Sequence, residues 1–287
     1  MKNILVPTDF SPVSEQACAY ALKIAEQAKA EIHFLHIQYT PVEWVLLDKE
    51  KEKNFPETLK QIGHARHELK KWEKRAKSLG LPVKKFLIFD VGREEIIKHV
   101  SGYHHDFVIM GSHGASGVRE TFMGSTAQKI IRHATAPVLV LKESIPDFPM
   151  KHIVFASDFE EDVMDYFRQV VDFADLMEAA IHLVYVNTPY NFEDTDISEK
   201  KMNQFLSHCP RGEACSVNVY NAKDEEEGIR KFAQSKQAGL IAITTHGSKG
   251  FLGLMSKSIT ESLVNHADIA VLSINIRTAS SAPDKEN

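Results

Sequence analysis

The chain has 287 residues, of which 43% are hydrophobic and 25% are charged, and its formal net charge is −5. This length suits about two globular domains, and the acidic balance argues against charge-driven binding of nucleic acid. No apolar run approaches the roughly 18 residues of a membrane span. Because Met1 also leads at once into a strand-like segment, we expect a soluble, cytoplasmic protein with no signal peptide and no membrane partner.

The chain has three cysteines, Cys18, Cys209 and Cys215. Their spacing shows neither a disulfide framework nor a metal-binding motif. A bridge between Cys209 and Cys215 is conceivable, but it is not expected in a cytoplasmic chain. We therefore expect no disulfide and no metal site.

The first segments alternate between strand and helix. Residues 3–8 have an apolar centre and predict a strand, while Ser11 and Pro12 form a helix start, with the helix extending to about Lys29. Residues 31–37 predict a second strand. A strand, a helix and a strand within this length indicate a parallel βαβ unit with a right-handed crossover.

The middle of the first half is more polar. Residues 39–55 predict a loop with a loose helical turn, and residues 56–79 predict an amphipathic helix whose inner stripe is Leu59, Ile62, Leu69, Trp72 and Ala76. His64 and His67 lie three apart on this helix, but no third ligand accompanies them, so we interpret them as solvated surface. The remaining elements are predicted strands at 83–89, 106–110 and 138–141 and predicted helices at 94–103 and 127–133.

Residues 110–126 form a glycine-rich stretch between a buried strand and a helix. Gly111, Gly114 and Gly124 would let the backbone approach a ligand closely, and the N-terminus of a helix attracts anions. Ser125 would cap the helix or offer its hydroxyl to a phosphate. The pattern predicts a phosphate-binding loop, and the alternative is a turn that only joins strand to helix.

Open parallel sheets bind ligands beyond the carboxyl ends of their strands. Asp9, Ile37 and Gly111 each stand at such an end in the predicted sheet. We therefore expect three separate segments of the first half to converge on one crevice.

The pattern then repeats. Residues 151–159 and 180–186 repeat residues 2–10 and 31–37 at an offset of 149, whereas the segment around Gly247 repeats that around Gly114 at an offset of 133. The second copy is therefore 16 residues shorter, and the loss falls between its second and fourth strands. A period of this size indicates tandem duplication of a domain. We predict domains at 1–145 and 150–277, joined by a linker at 142–149 and followed by a polar tail at 278–287.

The spacing of the glycines, together with residues 7–10, 35–37 and 137–140, resembles the universal stress protein family. The resemblance covers both halves. It implies an α/β fold of two tandem doubly wound domains, Rossmann-like and similar to the adenine nucleotide alpha hydrolases, each with a five-stranded parallel sheet and helices on both faces. The short linker and the apolar last strands of the two halves predict packing as an intrachain pseudo-dimer.

The resemblance also implies a ligand, ATP, with or without Mg²⁺. In ATP-binding members, the aspartate after the first strand lies near the nucleotide, the residue that ends the second strand meets the adenine, and the glycine loop holds ribose and phosphates. Carried over to this chain, the nucleotide-binding set is Pro7, Thr8, Asp9, Ile37, Met110, Gly111, His113, Gly114, Gly124, Ser125 and Thr126.

The second half departs from this pattern. Thr244 replaces Gly111 and Lys257 replaces Gly124. Lys257 could neutralise a phosphate or fill the anion site itself. We expect a degenerate site that binds no nucleotide in the family's manner, at Asp158, Val186, Thr244, Gly247, Lys257 and Ser258.

Three functions remain open at this stage. The first is an ATP-binding regulatory or stress-response module, and the second is an enzyme, either a slow ATPase or a nucleotidyl-transfer protein. The third is a protein that binds a lipid or another small molecule, or a protein partner. The loop supplies no general base, so we assign no catalytic residue and expect at most slow hydrolysis. A further homodimer is left open.

Overall fold

The computed structural model describes residues 1–92, 95–112, 123–142, 150–160, 163–207, 211–246 and 251–276, without the side chains of 213, 246 and 251–258. The chain divides into two units, Met1–Glu143 (unit 1) and Ser144–Asn287 (unit 2). Most of the predicted linker and the whole polar tail lie outside the described residues. The predicted packing of the two halves stays a prediction.

Unit 1 contains a parallel sheet in which β3, β2, β1, β4 and β5 lie side by side in that order. Its strands are β1 (Asn3–Pro7), β2 (Glu31–Tyr39), β3 (Val83–Asp90), β4 (Phe107–Gly111) and β5 (Val138–Leu141). Its helices are α1 (Pro12–Ala28), α2 (Lys49–Glu52), α3 (Pro56–Ser78), α4 (Glu95–Gly102) and α5 (Ser125–His133), and a short 3₁₀ turn covers Trp44–Leu46. The order reverses direction between β1 and β4, which is the point where doubly wound sheets bind ligands.

Unit 2 repeats this arrangement with β8, β7, β6, β9 and β10 side by side. Its strands are β6 (His152–Ala156), β7 (Ala180–Asn187), β8 (Cys215–Asn221), β9 (Leu240–His246) and β10 (Ala270–Ile276), and its helices are α6 (Met164–Met177), α7 (Thr195–Ser207), α8 (Glu225–Ser235) and α9 (Phe251–His266). The predicted fold class, two tandem α/β domains with parallel sheets, is confirmed. α7 has 13 residues where α3 has 23, which accounts for most of the shortening of the second copy.

The start and end of α1 follow from local chemistry. Ser11 is the N-cap, and its side chain accepts a hydrogen bond from the backbone N–H of Ser14 at 3.3 Å. Pro12 occupies the first helical position, where its missing N–H costs nothing. The helix ends at Lys29, which has a left-handed φ of 52°. The predicted start and end of this helix are confirmed.

The buried stripe of α3 differs from the prediction at one end. The buried side chains are Thr58, Ile62, Ala65, Leu69, Trp72 and Ala76, and Trp72 packs on Phe34 with ring centroids 5.8 Å apart. Leu59 is only half-buried. Counting back from Trp72 in alternating steps of three and four residues leads to Thr58 and not to Leu59. The contact with the sheet, and not the hydropathy of the side chains, therefore determines which residues of α3 are buried. His64 and His67 are exposed, as the surface interpretation requires.

Gly111 ends β4 beside the first turn of α1. A Cβ at Gly111 would lie 2.8 Å from Val13 Cγ1 and 3.2 Å from the Val13 carbonyl carbon. This glycine is therefore required for the packing of α1 on β4, whatever ligand the unit binds.

We expect Gly111→Ala to lower the free energy of unfolding by about 1–3 kcal/mol, because the added methyl overpacks a backbone contact. Gly63→Ala is the control, since Gly63 is exposed on α3 and a Cβ there meets nothing within 4 Å. That change should stabilise the helix by about 0.5–1 kcal/mol. Urea unfolding measures the free energy of unfolding of both variants. Equal changes in the two would show that the contact with Val13 tolerates an added methyl group.

The cysteines depart from expectation. Cys18 is free and buried, and burial raises the pKa of its thiol to about 12. Cys215, the first residue of β8, is disulfide-bonded, so the prediction of no disulfide is wrong. Cys209 lies outside the described residues. The prediction was based on the reducing environment of the expected compartment. It did not consider whether the fold brings two cysteines within bonding distance.

Among the helices of the described segments, none combines the length and the hydropathy that a membrane crossing needs.

Candidate functional site

The carboxyl edge of β1 is shaped by a tight, side-chain-bonded turn. The backbone N–H of Phe10 donates to Thr8 Oγ1, and that of Ser11 donates to Asp9 Oδ1, both at 3.1 Å. These bonds hold Phe10 at a left-handed φ of 64°, which is uncommon for a residue with a bulky side chain. The turn fixes the Asp9 carboxylate at the end of β1, beside the start of α1.

His36 supports the same turn from β2. Its Nδ1 donates to the Thr8 carbonyl at 2.8 Å, and its ring stacks on Phe10 with centroids 4.4 Å apart. Burial lowers the pKa of His36, so the imidazole is neutral at pH 7. Sequence reasoning missed both His36 and Phe10 as site-forming residues, because their contact depends on the pairing of β1 with β2.

The glycine loop is closed at its base. The N–H of Gly124 donates to the Ser112 carbonyl at 3.2 Å, and the N–H of Ser112 donates to the Leu141 carbonyl at 2.9 Å. These bonds place the first residues of α5 next to the carboxyl ends of β4 and β5. His113 and Gly114 lie outside the described residues.

The start of α5 has the character of an anion site. Gly124 is the N-cap, no side chain caps the helix, Ser125 is exposed and Thr126 is half-buried. The sequence predicted two roles for Ser125, helix capping and phosphate binding. The N-cap position is occupied by Gly124, so Ser125 does not cap the helix. Gly124 has a φ of −58°, a value that any residue adopts, so this position does not require the conformational freedom of glycine. The hydroxyl of Ser125 remains available for the second predicted role.

The described members of the predicted nucleotide set share the carboxyl edge of unit 1. Pro7, Thr8, Met110 and Gly111 are buried there, while Asp9, Ile37 and Gly124 are partly exposed. The end of β1, the end of β4 and the start of α5 thus meet at the place where the strand order reverses, and Ile37 lies on β2 beside them. Whether a nucleotide touches these residues stays a prediction.

Unit 2 repeats the first turn. The N–H of Phe159 donates to Ser157 Oγ at 3.1 Å, and the N–H of Glu160 donates to Asp158 Oδ1 at 3.3 Å. Phe159 also has a left-handed φ, of 57°, but its ring is buried against Phe205 with centroids 5.2 Å apart. The backbone of this edge is therefore retained in the second copy, including Asp158, and Val186 is buried beside it.

The other side of the edge in unit 2 is rebuilt. β9 continues past Thr244 to His246, and Thr245 Oγ1 donates to Asn275 Oδ1 at 2.6 Å. α9 begins at Phe251, so Lys257 and Ser258 lie well inside the helix rather than at its start. N–H groups inside a helix bond the preceding turn and cannot hold a phosphate. Gly247 lies outside the described residues.

The edge of unit 2 also carries an acidic network that the sequence did not indicate. Lys201 Nζ lies 2.9 Å from Glu160 Oε1 and 2.7 Å from Glu193 Oε1. These hydrogen bonds, first to Glu193 and then to Glu160, raise the pKa of Lys201. The network sits near Tyr185, whose phenol pKa is raised by burial and further by Glu193. One lysine thus meets two carboxylates, which leaves the site negative.

Within the described segments, no three His, Cys, Asp or Glu side chains are grouped so that they could hold a metal ion. At the edge of unit 1, Asp9 would supply one carboxylate. Mg²⁺ requires six oxygens in octahedral geometry, so phosphates and water would have to complete such a site.

The sheets, the reversal of strand order and the repeated turn define a tandem doubly wound α/β protein with its candidate site at the switch point of unit 1. Two segments of the chain, residues 1–142 and 149–275, match the profile of the Universal stress protein family. The chain belongs to this family, and the resemblance seen in its sequence is confirmed.

The proteins similar to this chain include several universal stress proteins. The universal stress protein MJ0531 of Methanocaldococcus jannaschii is 31% identical over 150 residues, which cover 50% of this chain and 82% of the relative. A crystal structure of a universal stress protein from Archaeoglobus fulgidus matches 96% of this chain and 98% of its own with a TM-score of 0.71 and 17% identity, which shows the fold. A universal stress protein family member from Arabidopsis thaliana with AMP bound matches 50% of this chain and 92% of its own, with a TM-score of 0.36 and 18% identity.

Proposed function

We propose that unit 1 binds ATP at its carboxyl edge, that unit 2 does not, and that the bound nucleotide acts as a regulatory ligand. The observation that carries this proposal is the difference between the starts of α5 and α9. α5 begins at Ser125, next to the end of β4, without a side-chain cap. α9 begins at Phe251, so its residues at the equivalent positions are helical interior.

Charge supports the same division. A triphosphate needs N–H donors and positive potential, and the start of α5 offers both through its backbone dipole. At the edge of unit 2, Glu160 and Glu193 surround Lys201 and would repel phosphates.

The side chains around the edge of unit 1 favour binding over turnover. Asp9 Oδ1 accepts the N–H of Ser11, and His36 is held by the Thr8 carbonyl and by stacking on Phe10. Both groups are engaged in building the turn, whereas hydrolysis requires a group poised to activate water. ATP would bring the chemistry of its phosphates and any Mg²⁺, while the chain would supply position and hydrogen bonds.

We expect ATP to stabilise the protein without being turned over quickly. At a hundredfold excess over its dissociation constant, a ligand specific to the folded state adds about 2.7 kcal/mol, which raises the melting temperature by about 5 °C or more. A thermal shift series with ATP and a phosphate-release assay under the same conditions measure the two parts. No shift at millimolar ATP would reject binding, and a turnover of about 1 per second or more would make the protein an enzyme.

A further inference from the structure

Unit 1 contains a cluster of buried histidines at the amino ends of its strands, on the sheet edge opposite to the proposed nucleotide site. His33 on β2 is 1% exposed, and His105, just before β4, is 8% exposed. His33 Nδ1 lies 3.0 Å from His105 Nε2, and His33 Nε2 lies 3.1 Å from Glu31 Oε2. Since the carboxylate favours a proton on His33 Nε2, Nδ1 of this ring accepts and His105 Nε2 donates.

α4 docks on this cluster through aromatic rings. His99 stacks on Tyr103 with centroids 5.4 Å apart and an interplanar angle of 11°. Tyr103 stacks in turn on His105 at 4.8 Å, and Phe86 of β3 meets the edge of His99 at 5.2 Å. The end of α4 is thus packed against the sheet through a stack of imidazole and phenol rings.

Three buried ring nitrogens of the cluster have no hydrogen-bond partner. One is His33 Nε2, which Glu31 Oε2 faces at 3.1 Å, and the others are His99 Nε2 and His105 Nδ1. These side chains are not grouped so that they could share a metal ion, so the species that each nitrogen can take up is a proton. A proton added there would place a positive charge among aromatic rings. At His105 the Tyr103 backbone and Asp106 favour the charged form, but burial and the neighbouring histidines outweigh them.

The charged groups around the cluster are already engaged. Glu31 also accepts from Lys84 Nζ at 3.2 Å. Asp106 Oδ2 accepts the backbone N–H groups of Lys2 and Asn3 at 2.7 and 2.9 Å. Tyr103 also faces the histidines, because its ring stacks on His99 and His105. The surroundings therefore offer little compensation for an imidazolium at His99 or His105.

Unit 2 lacks the cluster. At the positions of His99 and His105 in the repeat stand Phe232 and Ala238, both buried. His182, the equivalent of His33, is half-buried and bonds Ser216 and His152. The fold therefore accepts a phenyl ring where unit 1 has His99, and the histidines are a property of unit 1 alone.

We propose that His33, His99 and His105 form an acid-sensitive latch that holds α4 to the sheet of unit 1 at neutral pH and releases it as the pH falls. The proposal does not depend on nucleotide binding.

The direction of the effect follows from linkage. Burial, and then the neighbouring histidines, lower the pKa of His105 to about 4, and burial followed by His33 lowers the pKa of His99. An unfolded histidine titrates near pH 6.5, so between about pH 6.5 and 4 the released state binds more protons than the docked state. The latch is therefore fully stable above about pH 6.5 and weakens progressively below it.

The test is hydrogen–deuterium exchange of α4 at about pH 7.5 and pH 5, corrected for the intrinsic pH dependence of exchange. We expect the corrected opening of α4 to rise about tenfold or more on acidification, which corresponds to about 1.4 kcal/mol. His99→Phe, which copies Phe232 of unit 2, should reduce this rise to about threefold or less. His67→Phe removes an exposed imidazole of α3 and should leave the rise unchanged.

An unchanged α4 in the wild-type protein, or equal rises in the His99 and His67 variants, would overturn the proposal. A second measurement covers the case in which His99→Phe does not fold. NMR titration of the wild-type imidazoles should show a pKa of about 4 for His105 and a pKa of His99 below the ordinary value of about 6.5. Titration of every histidine near pH 6.5 would overturn the proposal without any variant.

Discussion

Ser125→Asp should weaken ATP binding by at least about 100-fold, or about 2.7 kcal/mol. Ser125 is the first residue of α5 and is exposed, so an aspartate there fills the proposed phosphate position with a negative charge. At about 4 Å and an effective dielectric constant of about 20, two like charges repel by about 4 kcal/mol. Titration calorimetry should therefore change from about one site per chain to no detectable heat.

This change separates lost binding from lost folding. A carboxylate in the first turn of a helix stabilises it by about 0.3–1 kcal/mol, so the melting temperature without nucleotide should stay the same or rise. Thr195→Asp is the matched control, because Thr195 is the exposed first residue of α7 in unit 2. ATP affinity that survives Ser125→Asp, or falls equally in both variants, would place the nucleotide elsewhere.

Phe167→Ala should lower the free energy of unfolding of unit 2 by about 3–5 kcal/mol. Phe167 of α6 is fully buried, with its ring centroid 5.1 Å from that of Phe155 and 5.8 Å from that of Phe205. Truncation leaves a cavity at the centre of these rings, and the flanking strand and helix can close it only in part.

Two features of the chain make this measurement specific. Phe192→Ala removes a ring that is 72% exposed and should cost less than about 0.5 kcal/mol. Trp44 and Trp72, the two tryptophans, both lie in unit 1, so their fluorescence reports that unit while circular dichroism reports both. A shift of the dichroism midpoint no larger than that of Phe192→Ala would show that the ring cluster contributes little.

The sequence was sufficient where short-range chemistry decides the structure. Ser11 and Pro12 identify the start of α1 because a hydroxyl cap and a proline at the first turn act within four residues. Apolar runs such as residues 3–7 identify buried parallel strands for the same reason. The duplication was also visible, since residues 151–159 repeat 2–10 closely.

The sequence was insufficient where an element is placed by its neighbours. Aligning the two copies by offset set Ser258 opposite Ser125, yet α9 begins at Phe251 and carries Ser258 into its interior. The start of α5 has no side-chain cap, because its N-cap is Gly124, so a pattern of capping residues could not locate it. The inner stripe of α3 was misjudged at Leu59 because only the sheet fixes the rotation of the helix.

By itself, the sequence determined the two-copy organisation, the parallel α/β fold and the family, because periodicity, turn residues and repeats are local properties of the chain. Only the tertiary structure decided which residues meet. His33 and His105 are 72 positions apart and are joined at 3.0 Å because β1 lies between β2 and β4. The closing bond from Gly124 to Ser112, and the network of Glu160, Glu193 and Lys201, likewise depend on how loops and helices lie on their sheets. Such contacts join residues that are far apart in the sequence. They depend on how the elements pack and connect, so they cannot be inferred from local patterns of residue types.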